Sequence, residues 1–197
     1  MKYCIGLAAV LFICSCNPNP TAPGQAAPAP GETAVQKEYA PEASLPLQPI
    51  RGWIVCGGSW TAGKGADLGA GYADQLGEDA VNAGISGEPL PGLLERLPKL
   101  LKQEPGGLIL EIGYEDEALR APVDAFKRHL DALEQLLRAY PGLSFLFIVS
   151  TTNEAYRKPI LNSAKRLDAP TLTSPHFSKA PSSLHHSALA QQLLEML

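Results

Sequence analysis

A chain of 197 residues suffices for one ordinary domain, and 45% of it is hydrophobic. Charged residues make up only 18%, the net charge is −4, and no basic stripe stands out, which argues against nucleic acid as a partner.

The first residues read as an export signal. Met1-Lys2 supplies a small positive start, and Ile5 to Ile13 is an apolar run. That run falls short of the roughly 20 residues a bilayer-spanning helix needs. Its end, Ile13-Cys14-Ser15-Cys16, resembles the lipobox of bacterial lipoproteins: an aliphatic residue, two small ones, a cysteine. The resemblance implies a signal peptide over 1–15, a lipid on Cys16, and a membrane-anchored lipoprotein of the bacterial cell envelope. The residues alone also allow an ordinary cleaved signal with an incidental cysteine. Cys4 and Cys14 lie in the segment to be removed, so only Cys56 remains in the domain, in an apolar run, and no internal disulfide is expected. Residues 16–50 form a Pro/Ala-rich tether, with eight of the chain's 18 prolines between Asn17 and Pro49. Such a segment buries too little apolar area to offset its ordering entropy.

The domain spans 51–197. Its expected elements, in chain order, begin with a strand over Gly52–Cys56, a short helix over Leu68–Leu76, and a strand over Ala80–Ala83 ending in Gly84. Leucines at 90, 93, 94, 97, 100 and 101 predict a helix over Leu90–Lys102, with Pro98 as a kink. Leu108–Ile112 is a continuous apolar strand. Pro122–Tyr140 is the strongest helix, with Val123, Phe126, Leu130, Leu133, Leu136 and Leu137 on one side. Then follow an apolar strand (Leu143–Val149), a weaker helix (Glu154–Leu167) that Pro159 delays or breaks, an edge strand (Thr171–Thr173) and a closing helix (Leu184–Leu197). Apolar strands separated by helices predict an α/β fold: a parallel sheet covered on both faces, a three-layer α/β/α sandwich. In that architecture chemistry sits beyond the carboxyl ends of the strands, which puts the turns at Gly57, Gly84 and Gly113 and the loop before the last helix on one rim.

The turn after the first strand, Cys56-Gly-Gly-Ser-Trp-Thr-Ala-Gly-Lys-Gly65, admits two chemical readings. Gly58 to Lys64 fits most of a phosphate-binding loop, but Gly65 stands where the magnesium-binding hydroxyl belongs. A glycine-flanked serine at this turn can instead project a nucleophilic hydroxyl onto the rim, with backbone amides nearby to hold an oxyanion. The bland reading makes Ser59 a turn residue only.

Several stretches along the chain favour the nucleophile. The segment above resembles the first block of the SGNH, or GDSL, hydrolases, and Tyr72-Ala-Asp-Gln-Leu resembles the stretch that follows it. Val81-Asn-Ala-Gly-Ile-Ser-Gly is similar to the second block, Ile109-Leu-Glu-Ile-Gly-Tyr-Glu-Asp to the third, and Ser182-Ser-Leu-His185 to the last. The similarity runs over the whole domain and implies a flavodoxin-like SGNH hydrolase fold and hydrolysis of carboxylic esters or thioesters. It also implies roles: Ser59 as nucleophile and, through its amide, oxyanion donor; Gly84 as second donor; His185 as general base. No cofactor and no metal are implied. The partners would be a small acyl-ester or lipid-like substrate and, through the lipid anchor, a membrane.

Three positions depart from the pattern. Glu115 stands where the family has its donating asparagine, Ser182 where it has the aspartate that orients the histidine, and Gly58 where an aspartate precedes the serine. An ionised carboxylate cannot donate, and at 115 it would sit where negative charge develops. Burial can keep Glu115 protonated and able to donate, and a backbone carbonyl can orient His185 in place of an acid. The alternative outcome is a non-catalytic binding or scaffold protein at the envelope that keeps the fold. His176 is a second candidate base, His185 and His186 also fit a solvated helix start, and Trp60 either walls an acyl pocket or packs under the first helix.

Overall fold

A computed structural model describes residues 52–174, 177 and 180–197. The export signal, Cys16, the tether and His176 lie outside the described residues.

Five strands form one parallel sheet in the order β2-β1-β3-β4-β5: β1 (Trp53–Gly57), β2 (Ala80–Gly84), β3 (Gly107–Ile112), β4 (Ser144–Val149) and β5 (Thr171–Thr173). The register pairs Gly57 with Gly84 across β1 and β2, and Cys56 with Leu110 across β1 and β3. The carboxyl ends of the strands therefore finish together and form a rim.

The helices are α1 (Leu90–Leu101), α2 (Tyr114–Ala118), α3 (Val123–Arg138), α4 (Glu154–Arg166) and α5 (Ser183–Leu194). Alternation along each strand divides the core in two. Ile54, Leu108, Leu110, Phe147 and Val149 face α1, α3 and α4, where Leu97, Leu133 and Ile160 are fully buried. Val55, Ile109, Leu146 and Ile148 face the other side, where Leu189 and Leu193 of α5 meet Trp60 and Tyr72. The three-layer α/β/α sandwich expected from the sequence is thus observed.

Three local differences have physical causes. No helix spans 68–76: the chain turns repeatedly and closes only a 3₁₀ turn at Asp74–Leu76. Gly65 and Gly69 hold φ values of 79° and 73°, outside any right-handed helix, and Leu68 is wholly exposed. Pro98 and Pro159 both lie inside unbroken helices. Finally α2, which the periodicity does not predict, is a single acidic turn that packs Glu115 and Asp116 inward. The Asp116 carboxylate accepts from the Leu90 amide at 3.3 Å, so it caps α1, whose own N-cap is a proline.

Candidate active site

The site is built on the turn that leaves β1. Three backbone hydrogen bonds wind it tightly: Ala62 N to Gly58 O (3.0 Å), Gly63 N to Trp60 O (3.1 Å) and Lys64 N to Ser59 O (2.9 Å). Two glycines open it, and a side chain at either would meet a glutamate. A Cβ on Gly57 would lie 2.6 Å from the Glu111 Cβ, and one on Gly58 would lie 2.4 Å from the Glu115 Cγ. From behind, the buried Glu111 carboxylate accepts from Gly58 N at 2.8 Å and from Thr61 Oγ1 at 3.2 Å. Burial pushes the Glu111 carboxyl above its usual range, while the hydroxyls of Ser150 and Thr61 and the amides of Gly58 and Thr61 pull it back down. Sequence reasoning assigned Glu111 no role. Its signal was there, as one acid inside the apolar strand LILEI.

Ser59 is 2% exposed. Its Oγ lies 3.1 Å from Ser86 Oγ and accepts from Gly87 N at 3.1 Å. The Gly84 amide instead donates to Asn82 Oδ1 at 3.0 Å, and Gly84 lies so close to the Thr61–Ala62 backbone that a Cβ there would come within 2.5 Å of Ala62 N. Gly84 is therefore a packing glycine, and the amide that reaches the Ser59 hydroxyl belongs to Gly87. Gly87 holds φ 83°, in a loop only glycine enters cheaply.

Ser59 N donates to Glu115 Oε1 at 2.8 Å. Glu115 does point inward, and it takes the amide that the family resemblance assigns to the oxyanion.

The start of α5 packs against the same turn. Ser183 Oγ accepts from Asp67 N at 3.0 Å, and a Cβ on Gly65 would fall 2.3 Å from Pro181 O. His186 is fully buried; Tyr72 N donates to its Nδ1 (3.2 Å), which leaves Nε2 to donate to Lys64 O (3.0 Å). Burial holds the His186 imidazole below its ordinary 6.5, hence neutral. With both ring nitrogens committed to backbone, His186 ties α5 to the turn and has no free position for proton transfer. His185, next along, places its Nδ1 3.0 Å from Ser182 Oγ. When Nδ1–H is donated there, Nε2 is the basic nitrogen. Among the described residues no hydrogen bond joins Ser59 Oγ to His185. Trp60 is core: its ring lies 4.9 Å from Phe177 and 5.2 Å from His186, centroid to centroid. Lys64 Nζ sits 5.5 Å over the Tyr114 ring at the edge of the site.

Among the described residues no cluster of three or more His, Cys, Asp or Glu is placed to hold a metal ion. A cleft of about 700 Å³ lies at the opposite end of the sheet, beside Trp53, Ser144 and Phe145, away from this chemistry.

Solved structures share this arrangement of strands and helices. A putative lipolytic protein of the G-D-S-L family from Desulfitobacterium hafniense superposes with a TM-score of 0.63 at 18% identity, over 74% of this chain and 99% of that one. The fold is that of the SGNH hydrolases. A psychrotrophic esterase from Pseudoalteromonas sp., solved with monoethylphosphonate as inhibitor, gives 0.62 at 19% identity, over 74% of this chain and 95% of that one. A GDSL-like lipase from Bacteroides thetaiotaomicron gives 0.57 at 15% identity, over 75% and 89%. No protein-family model matches the sequence of this SGNH-fold chain, and no curated protein matches it.

Proposed function

We propose that this SGNH-fold chain is an exported, lipid-anchored serine hydrolase of carboxylic esters or thioesters. The observation that carries the reading is the pairing of Ser59, its hydroxyl met by the Gly87 amide, with helix α5, which His186 fastens to the same turn at Lys64 O and whose start holds the Ser182–His185 pair. Ser59 Oγ bonds to the acyl carbon as its proton passes to His185 Nε2. The bond to the leaving oxygen or sulfur then breaks, and the leaving group takes that proton. Water repeats the cycle on the acyl-serine and releases the acid. The Gly87 amide steadies the oxyanion, and no cofactor is required.

A second reading, a non-catalytic envelope scaffold, is favoured by one specific contact, the Glu115 carboxylate on the Ser59 amide. Loss of one oxyanion donor typically costs ~10²–10³ in rate. Hydrolysis of p-nitrophenyl acetate by the parent and by Ser59→Ala separates the two. Turnover that disappears in the variant supports the enzyme; equal residual rates in both support the scaffold.

The anchor has its own test. Radiolabelled palmitate incorporated by the expressed chain in a bacterial host should be lost in Cys16→Ala, with the protein moving from the membrane to the soluble fraction. Labelling that persists in the variant overturns lipidation at Cys16.

A further inference from the structure

We propose that Glu115 is a built-in occupant of the oxyanion position, admitted by Gly58, and that the site works only when this side chain is displaced. The inference rests on the reading of Ser59 N as an oxyanion donor. Three observations meet here. The Ser59 amide is already satisfied by Glu115 Oε1 at 2.8 Å, so an incoming carbonyl oxygen must compete with an internal carboxylate. The carboxylate reaches that amide only because residue 58 lacks a side chain, since a Cβ there would lie 2.4 Å from the Glu115 Cγ. The place is also closed: Ser59 is 2% and Glu115 7% exposed.

Two departures from the family pattern, at 58 and at 115, thereby become one. The glycine is the space and the glutamate is what fills it. An aspartate at 58 and a glutamate at 115 exclude each other in this backbone. Other carboxylates nearby are engaged elsewhere, Glu111 with the turn and Asp116 with the start of α1, so Glu115 is the one directed at the nucleophile's amide.

The test uses an anion that needs no catalysis. In the ¹⁵N-labelled full chain, sodium acetate should leave the Ser59 amide resonance of the parent unmoved. In Glu115→Ala it should shift that resonance saturably, because the amide is vacated. Gly58→Ala should behave like Glu115→Ala although the glutamate remains, and the double variant should bind acetate no better than Glu115→Ala alone. In parallel, Glu115→Asn should hydrolyse p-nitrophenyl acetate about 10²-fold faster than the parent. Saturable acetate binding at Ser59 in the parent, as strong as in Glu115→Ala, overturns the proposal. So does absence of binding in both single variants; should Glu115→Ala fail to fold, Gly58→Ala alone decides. Acetate binding in the variants together with no gain of hydrolysis in Glu115→Asn leaves the occupant in place and removes the esterase reading instead.

Discussion

Ser182 is the residue on which the proposed proton transfer turns. Its hydroxyl, 3.0 Å from His185 Nδ1, orients the ring without the negative charge that would stabilise an imidazolium. In the serine-protease triad, replacing the corresponding acid by its amide costs ~10⁴ in kcat. Ser182 is also the N-cap of α5, a position where aspartate is equally well accepted. Ser182→Asp should therefore keep the melting temperature and, in a Glu115→Asn background that frees the Ser59 amide, raise kcat on p-nitrophenyl acetate by on the order of 10²-fold. An unchanged kcat in a folded variant would remove His185 from the role of base. Residue by residue, the site was only partly legible. Ser59 and His185 stand out by the blocks around them, whereas Ser182 reads in the sequence as the place of a missing acid. Gly87 sits three residues beyond Gly84 in the same Asn-Ala-Gly-Ile-Ser-Gly block, and only the folded loop decides which of the two amides faces the hydroxyl. The contact between Glu115 and the Ser59 amide spans 56 residues, and nothing local encodes it.

Elements were more legible, for reasons that lie in burial. β3 and β4 are covered on both faces, so they read as largely apolar runs, with Glu111 the one acid in β3, and α3 buries Phe126, Leu130, Leu133 and Leu137 at helical spacing. Where the chain lacks a face to bury, pattern fails. Over residues 68–76 only Tyr72 and Ala73 bury their side chains, with no second turn at helical spacing, while Leu68 finds no core and Gly69 dictates a turn. The single turn of α2 is too short to carry a period, and its acids look like a solvated patch. Two of them are in fact turned inward, one to cap α1 and one to reach Ser59. The prolines mislead in the opposite direction. Helices α1 and α4 run on through Pro98 and Pro159, each held by a buried stripe such as Leu93–Leu97–Leu100.

For the molecule as a whole, pH reaches stability through groups buried near the site. His186 is held below its ordinary 6.5 by burial, so the unfolded chain binds a proton that the folded chain refuses. Its contribution is complete above about pH 6.5 and is lost as pH falls below that. Asp116 works the other way. Burial raises its carboxyl from 3.8 to about 6, so the folded state gains as pH falls through that interval. The two partly offset, which makes the comparison with a variant the informative one. Between pH 7.5 and 5.5 the melting temperature of the parent should fall more steeply than that of His186→Gln, which has no ionisation to suppress. Parallel curves would show that His186 carries no such linkage.

The lock between the imidazole of His186 and the carbonyl of Lys64 joins positions 122 residues apart. A ribosome delivers the serine-bearing bend long before it delivers its fastening. Nascent chains halted before the closing helix would carry that bend without its clasp, and so without an ordered nucleophile. Assembly of the centre thus waits on α5, and a stop codon just ahead of Ser183 would remove this clasp while sparing every strand of the sheet.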